Sequence, residues 1–346
     1  MFRRISAVLL LCGVIGAAGW GAARAEERIV TDGAGRRVSV PAHIGRVFAA
    51  GSPAAITLLT LAPDDLLGWT EPIRAEGKSF LPARYADLPV LGRLTGRAST
   101  ANAESVLKAR PDIVLDLGEV DPSHVSLADR MQQQIGVPYL IFDGKFDRTP
   151  ELYEALGDLL GAKEKAAELA AYARKTLAQL SEGMERVPAD HRPRVYYARG
   201  IDGLETALAG SINTEMLGYV GAVNVAAAPD RHSTATVSPE QVLAWNPDVI
   251  ITQDDRFYRT VWTSPLWQGV AAVQKKRVYH VPNRPFGWFD SPPAVNRLIG
   301  VRWLASVLYP DIFGGDLREV TSDFYRRFYH IDLTSAQLDE LLLPPK

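Results

Sequence analysis

One long segment near the middle of the chain shows a helical spacing of apolar residues. Between residues 163 and 187, apolar or small residues recur every three or four positions, and the positions between them are mostly charged or polar. The recurring positions are Ala166, Leu169, Ala170, Ala173, Leu177, Leu180, Met184 and Val187. Because helical residues three and four apart share a face, this spacing predicts an amphipathic helix about 35 Å long.

Short apolar runs alternate with helix-like segments on both sides of this helix. The runs are 46–50, 112–117 and 139–142 before it, and 194–198, 248–252 and 277–281 after it. Strands that alternate with helices favour a parallel sheet covered by helices. The predicted fold class is therefore α/β, with two doubly wound, Rossmann-like lobes joined by one long α-helix.

The predicted domain organisation places a first lobe at 26–160, the linking helix at 161–188 and a second lobe at 189–346. An ordinary surface helix within a single domain is the alternative. An internal repeat argues for two lobes, because residues 102–116 align with residues 238–252 without a gap. The identical pairs are Glu104/Glu240, Val106/Val242, Leu107/Leu243, Pro111/Pro247 and Asp112/Asp248. Helix–turn–strand units share turn chemistry, so chance similarity is possible, but five identities favour duplication of a lobe.

The N-terminus has the pattern of an export signal. Arg3 and Arg4 precede an apolar stretch, and a small-x-small cleavage pattern ends at Ala25. We predict that residues 1–25 are a signal peptide, that cleavage follows Ala25, and that the protein is periplasmic. A retained membrane anchor is the alternative, but the apolar stretch is short and no second one follows.

The single cysteine, Cys12, lies in this segment and follows Leu11, whereas a lipoprotein site needs a small residue there. The mature chain is therefore expected to contain no disulfide. Removal of the three arginines of the segment changes the formal charge from −2 to −5 (−2 − 3). A mildly acidic protein has no electrostatic attraction to nucleic acid, so no nucleic-acid partner is expected.

Motifs for catalysis are absent from the sequence. Gly51-Ser52-Pro53 lacks the second glycine of a nucleophile elbow, and Ser52 is interpreted as a helix N-cap. There is no glycine-rich phosphate loop, and the six histidines lack metal-binding spacing. The residues themselves leave catalysis possible but without a signal for it. The prediction of a protein that is not an enzyme, with no catalytic residues, no metal site and no cofactor, follows from the family resemblance described below.

Candidate ligand-binding residues lie at predicted strand ends, where parallel sheets bind ligands. The loop 282–293 combines an arginine with aromatic residues between prolines, which suits a large, flat or anionic ligand. Packing against the sheet edge is the alternative for its aromatic side chains, Trp288 included. The predicted ligand-binding set is Trp69, Arg97, Arg199, Tyr258, Arg284, Trp288 and Phe289.

Several motifs then occur in a fixed order along the chain. The first is Arg46-Val-Phe-Ala-Ala-Gly-Ser-Pro-Ala, followed by Glu104-Ser-Val-Leu-x-x-x-Pro-Asp and Glu240-Gln-Val-Leu-x-x-x-Pro-Asp. Pro265-Leu-Trp-Gln-Gly-Val-x-Ala-Val then precedes Arg277-Val-Tyr-x-Val-Pro. With the central helix, this order resembles the periplasmic substrate-binding proteins of the iron-siderophore, haem and cobalamin ABC importers, over essentially the whole mature chain.

The resemblance implies two lobes that hold a ligand between them and a single connecting helix that limits closure. It also implies that Glu104 and Glu240 dock onto arginines of an ABC transporter permease in the inner membrane. A favourable charge at a helix N-terminus is the alternative role for both carboxylates. The protein is expected to act as a monomer.

The leading hypothesis is a receptor for a small-molecule metal chelate, namely a ferric siderophore, that delivers it to the permease. Within the same class, the alternatives are a nickel or cobalt chelate, haem or a corrinoid. An exported chelatase-like enzyme on a related fold would instead need a histidine or carboxylate pair in the cleft. An adaptor module that has lost its ligand would have a filled, apolar cleft.

Overall fold

The computed structural model describes residues 26–96, 99–226 and 234–345, so the predicted signal peptide lies outside the described residues. The strands are β1 Glu27–Thr31, β2 Arg37–Pro41, β3 Val47–Ala49, β4 Ile113–Gly118, β5 Tyr139–Asp143, β6 Arg194–Ala198, β7 Glu205–Ala207, β8 Val223–Asn224, β9 Thr234–Thr236, β10 Val249–Thr252 and β11 Val278–His280. The helices are α1 Ser52–Leu61, α2 Ala83–Ala86, α3 Ala103–Ala109, α4 Pro122–Ile135, α5 Thr149–Leu160, α6 Lys163–Met184, α7 Glu215–Tyr219, α8 Pro239–Trp245, α9 Asp255–Thr260, α10 Ala271–Gln274, α11 Arg297–Leu308, α12 Pro310–Phe313, α13 Leu317–Phe328 and α14 Ser335–Leu342. Short 3₁₀ turns lie at Pro63–Asp65, Ala75–Phe80, Phe146–Arg148 and Ala189–His191.

The first lobe is built on a parallel sheet of order β3-β4-β5. Successive side chains of its strands enter two different cores, as the two-residue period of a strand requires. Val114 and Tyr139 pack in one apolar cluster, whereas Leu115 and Leu140 pack in another. Both faces of the sheet are therefore covered, which is the doubly wound arrangement predicted from the sequence.

The second lobe repeats this arrangement with a parallel sheet of order β11-β10-β6-β8. Tyr196 and Ile250 face a cluster that belongs to this lobe alone. Tyr197 and Ile251 face the opposite way, into the same apolar cluster that holds Leu115 of the first lobe. The inner faces of the two sheets are thus connected by one continuous core.

The linking helix α6 forms part of that core. Its buried residues include Leu169, Ala170 and Ala173, whereas Glu164 and Arg174 are exposed. Phe324 and Phe328 of α13 pack against Tyr172 on the same helix, at ring-centroid distances of 6.1 and 5.1 Å. The predicted amphipathic helix is therefore present, and its apolar face is covered by both lobes.

The internal repeat produces the same local structure twice. Asn102 caps α3, and Ser238 caps α8; each side chain accepts the backbone N–H of the third helical residue. Each helix then ends in a left-handed residue, Arg110 with φ 49° and Asn246 with φ 42°. Helices of the same length thus begin and end in the same way in both lobes.

The strand that follows each helix is anchored in the same manner. Asp112 accepts the backbone N–H of Arg46 at 2.9 Å, and Asp248 accepts that of Arg194 at 2.9 Å. The backbone N–H of each aspartate in turn donates to the carbonyl of the same arginine at 2.8 Å. This equivalence supports the interpretation of the repeat as a duplicated lobe.

The C-terminal segment returns to the first lobe. His330 Nε2 lies 2.8 Å from the carbonyl oxygen of Leu59 in α1, and Gln337 donates to the carbonyl of Ser79 at 2.7 Å. Residues assigned from sequence to the second lobe therefore also contact the first. Among the described residues, no helix combines the length and apolar character needed to cross a membrane.

Candidate ligand-binding site between the lobes

The loops that follow the strands of the second lobe lie against the first lobe. Trp69 of the first lobe and Phe286 of the second have ring centroids 5.7 Å apart. A Cβ built on Gly77 would lie only 3.2 Å from Cα of Pro285, so the two backbones approach closely there. Since ligands of parallel sheets bind beyond the carboxyl ends of strands, this seam contains the candidate site.

A second contact between the lobes lies at the end of β5. Arg297 Nη2 of α11 donates to the carbonyl of Gly144 at 2.6 Å, and the backbone N–H of Phe146 donates to the Glu215 carboxylate at 3.2 Å. The rings of Phe146 and Tyr219 are 5.0 Å apart. The seam between the lobes is therefore fixed on two sides, near Trp69 and near Phe146.

A polar network lies in the second lobe, where β6 and β10 end. Asp290 accepts hydrogen bonds from the Tyr197 hydroxyl, from Gln253 Nε2 at 2.8 Å and from the Ser291 hydroxyl at 3.2 Å. Arg199 forms an ion pair with the same carboxylate. The Asp290 side chain is fully buried, and a buried carboxylate needs such partners.

Hydroxyl groups cluster in the first lobe, near the ends of β3 and β4. Ser52 Oγ and Thr70 Oγ1 are 2.7 Å apart, and either can be the donor. Thr95 Oγ1 donates to Asp116 Oδ1 at 3.0 Å, and the Tyr139 hydroxyl donates to Asp116 Oδ2 at 3.0 Å. The sequence interpretation of Ser52 as an N-cap is wrong: Gly51 holds that position, and Ser52 is the first helical residue.

Asp116 is an ionisable group beneath these hydroxyls. Burial raises its pKa above the ordinary value, and the hydrogen bonds from Thr95 and Tyr139 oppose that rise. A Cβ built on Gly51 would lie 2.8 Å from Thr95 Oγ1 and 3.8 Å from Asp116 Oδ1. Glycine at position 51 thus leaves room for the threonine hydroxyl at this strand end.

The predicted arginines have different surroundings. Arg199 lies in the polar network and also pairs with Glu205 at 3.1 Å, so its charge is already balanced. Arg284 pairs with Glu340 at 3.1 Å and lines a separate cavity of about 390 Å³ beside the C-terminal segment. Arg97 lies outside the described residues.

The predicted aromatic residues are mostly in the core. Trp69, Trp288 and Phe289 are 3%, 0% and 1% exposed, so packing accounts for their positions in this structure. Trp69 Nε1 donates to the carbonyl of Tyr85 at 2.7 Å, and the ring of Phe289 lies 4.6 Å from that of Tyr197. These rings are packed inside the protein and do not form an exposed surface on which a ligand could stack.

Two of the predicted ligand-binding residues, Trp288 and Tyr258, contact side chains other than the first-lobe hydroxyl groups. Trp288 Nε1 donates to the Tyr325 hydroxyl at 3.2 Å. Tyr258 is half-buried on α9, and its ring lies 5.6 Å from His280. Burial raises the pKa of Tyr258.

The two glutamates of the repeat are exposed, each in the first turn of its helix. In the described parts of the chain, neither Glu104 nor Glu240 forms an ion pair. Hydrogen bonding to its own backbone N–H and to Ser238 lowers the pKa of Glu240. Both carboxylates are therefore open to a partner.

Sequence reasoning missed the groups that make the polar network. Asp290, Gln253 and Ser291 stand at strand ends or in the 282–293 loop but belong to no motif. Thr70 and Thr95 lie between β3 and β4 and belong to none of the motifs found in the sequence. A search for hydroxyl and amide residues directly after predicted strands would have found several of them. No group of three histidine, cysteine or carboxylate residues suited to a metal ion occurs within the ranges that the structure covers.

Two α/β lobes joined by one helix, with polar groups at the strand ends of each lobe, define a two-lobed solute-binding protein. The chain belongs to the periplasmic binding protein family, whose model matches residues 74–285. The family predicted from the sequence is thus confirmed, and its members are transport proteins that bind a solute for an ABC transporter.

Two similar proteins illustrate this relationship, and for one of them both the sequence and the structure are compared. The molybdate-binding protein MolA of Haemophilus influenzae is 30% identical over 88% of this chain and 91% of its own. The structure of MolA bound to molybdate has a TM-score of 0.72 and 25% identity, over 89% of this chain and 99% of that one. An ABC transporter solute-binding protein from Sulfurospirillum deleyianum has a TM-score of 0.84 and 29% identity, over 91% and 99% of the two chains.

Proposed function

We propose that this protein is the periplasmic receptor of an ABC importer for a small oxyanion of the molybdate type. The observation that carries the proposal is the chemistry of the seam. The groups at the strand ends include the hydroxyls of Ser52 and Thr70 and the amide of Gln253, which can donate hydrogen bonds to an oxyanion. The similarity to a molybdate-binding protein supports this choice.

The buried aromatic residues argue against a large organic cargo. A ferric siderophore, haem or a corrinoid presents a wide apolar or aromatic shell, which calls for exposed rings in the cleft. Trp69, Trp288 and Phe289 are instead covered by protein. The competing cargoes are a ferric siderophore, haem, a corrinoid and a nickel or cobalt chelate, and titration separates them.

The cargo is held by hydrogen bonds, without covalent chemistry. We propose that Ser52 and Thr70 provide the first-lobe contacts, since their hydroxyls are only 2.7 Å apart and Ser52 is half-buried. Across the seam, Gln253 and Ser291 are positioned by the fully buried Asp290. Arg199 also lies there, but its pairs with Asp290 and Glu205 balance its charge.

Delivery to the permease uses the exposed carboxylates of the repeat. Glu104 and Glu240 lie at equivalent positions of the two lobes, so together they suit a membrane partner with two related basic sites. Such charge pairs increase the rate of encounter and fix the orientation more than they add affinity.

Isothermal titration calorimetry with the mature protein tests the cargo. Molybdate and tungstate are expected to bind saturably, and sulfate, a ferric catecholate siderophore, haem, cobalamin and nickel-histidine are the competitors. The variant Ser52→Ala/Thr70→Val should bind molybdate at least about tenfold more weakly, because hydrogen bonds to charged groups are worth about 1.5–3 kcal/mol. Ser181→Ala, an exposed hydroxyl on α6, is the matched control and should bind as the wild type does.

Saturable binding of a siderophore or another chelate, with no heat from molybdate or tungstate, would refute the oxyanion proposal. Recovery of the bound cargo in chemically unchanged form after denaturation is expected from a receptor. A chelatase-like enzyme would instead release an altered product.

A further inference from the structure

Each copy of the repeat leaves one leucine exposed at the same position. Leu107 of α3 is 51% exposed and Leu243 of α8 is 41% exposed. The residues just before them, Val106 and Val242, are 0% and 1% exposed and anchor the two helices to their sheets. At these aligned positions, the two copies thus bury the same side chain and expose the same side chain.

Each exposed leucine lies one helical turn after the exposed glutamate of its helix. Residues three apart on a helix are surface neighbours, so Glu104 lies beside Leu107 and Glu240 lies beside Leu243. We call each glutamate–leucine pair a docking pad. The protein therefore carries two docking pads of the same composition, one on each lobe.

We propose that the two docking pads bind the permease through their leucines as well as through their glutamates. The expected partner is a membrane protein with two related sites, each offering a basic side chain beside an apolar hollow. This inference rests on the proposed delivery to an ABC permease. An apolar side chain that enters a hollow next to a charge pair removes water from the pair and strengthens it.

The charges of the docking pads favour this partner over two others. A second copy of the chain would bring carboxylate against carboxylate, which like-charge repulsion disfavours. An anionic membrane surface would repel Glu104 and Glu240 in the same way. A basic protein surface with apolar hollows satisfies both members of each pad.

Site-specific photocrosslinking in cells of the source bacterium tests the proposal. A benzophenone amino acid is placed at position 107 or 243, and at Ile29 or Val223 as controls that are 55% and 51% exposed elsewhere on the two lobes. Positions 107 and 243 are both expected to crosslink to the same ABC permease, identified by mass spectrometry. Crosslinking at neither position, or equal crosslinking at the control positions, would overturn the proposal.

A second measurement separates docking from cargo binding. In vesicles that contain the identified permease, Leu107→Ser and Leu243→Ser should each lower the apparent affinity of the loaded receptor about tenfold, as expected for one buried leucine side chain. Ile29→Ser and Val223→Ser should leave that affinity unchanged. Stimulation of the permease ATPase by the double leucine variant at the wild-type concentration would also overturn the proposal.

The cargo affinity of all these variants should equal that of the wild type, since the docking pads lie outside the seam. If molybdate fails to bind the wild type while both leucine positions still crosslink to the permease, the oxyanion proposal alone is wrong. If the cargo binds but the leucine variants stimulate transport normally, the docking pads alone are wrong.

Discussion

Arg297 and Glu215 form an ion pair of 2.7 Å within the second lobe, beside the seam. The Arg297 side chain is only 3% exposed, and burial lowers the pKa of its guanidinium below the ordinary value. Both partners also bind the first lobe, through the carbonyl of Gly144 and the backbone N–H of Phe146. The pair therefore sets how the lobes meet next to the proposed site.

Removing either charge should destabilise the protein strongly. Arg297→Met or Glu215→Gln is expected to lower the free energy of unfolding by about 3 kcal/mol, because a buried charge is left without its partner. The double variant should lose less than the sum, since it buries no unpaired charge. Urea titration followed by circular dichroism measures all three values.

An exposed ion pair between Arg174 and Glu154 provides the control. Its atoms are 2.8 Å apart, a similar distance, but both side chains are about half exposed, at 50% and 51%. Arg174→Met should cost less than about 1 kcal/mol. Strictly additive losses at 215 and 297, or a loss at 174 of the same size, would show that the buried pair does not hold the seam.

The buried Asp116 should make stability depend on pH. Its pKa in the folded protein is raised above the ordinary 3.8 by burial, so ionisation is harder in the folded state than in the unfolded one. Its contribution to the free energy of unfolding is therefore most favourable below pH 3.8 and declines until the pH passes the folded-state pKa. Each pKa unit by which the folded-state value exceeds the unfolded-state value lowers the free energy of unfolding by about 1.4 kcal/mol above the folded-state pKa.

Asp116→Asn should remove this decline. Relative to the wild type, the variant should gain stability between pH 4 and pH 7, as measured by urea titration at several pH values. Glu119→Gln, an exposed carboxylate just after the same strand, should follow the wild-type curve. A constant offset between Asp116→Asn and the wild type at every pH would rule out the proposed ionisation.

Local pattern predicted the framework of the protein well. The linking helix was expected at 163–187 and spans Lys163–Met184, because its buried face repeats every three to four residues over its whole length. The repeat also predicted matching helices and strands, since their caps and turn residues are local in sequence. Such signals need no knowledge of distant neighbours.

The candidate site depended on distant neighbours and was predicted less well. Whether Trp288 is open or buried depends on Tyr325, which lies 37 residues further along the chain. Ser52 had a plausible local role as an N-cap, but its hydroxyl instead pairs with that of Thr70. A single sequence does not show which distant residues contact each other. The predicted ligand-binding set therefore contained aromatic residues and not the hydroxyl groups.

Gly287 leaves the space in which Gln253 sits. A Cβ at Gly287 would lie 2.0 Å from Gln253 Oε1 and 3.1 Å from Cβ of Ser291. Gly287→Ala should therefore displace Gln253 from Asp290 and Tyr197, lower the free energy of unfolding by about 1–2 kcal/mol, and weaken cargo binding. Urea titration and calorimetry measure the two effects.

Gly218→Ala is the matched control for that variant, because nothing lies within 4 Å of the added Cβ. Gly218 is in α7, where alanine should stabilise the helix by up to about 1 kcal/mol. Cargo affinity should not change in this control. Wild-type affinity in Gly287→Ala would mean that the network around Asp290 does not position the cargo contacts.

The close contact between α5 and the linking helix gives a test of how the helix is anchored. A Cβ at Gly157 would lie 2.3 Å from Cβ of Ala166, so Gly157→Ala should force α5 and α6 apart and cost about 1–3 kcal/mol. Ala166→Gly alone should cost about 1 kcal/mol, because glycine weakens a helix interior. The double variant restores the space between the helices, so its loss should be smaller than the sum of the two single losses. Thermal unfolding of the four proteins measures this coupling, and additive losses would mean that the two helices do not meet through these residues.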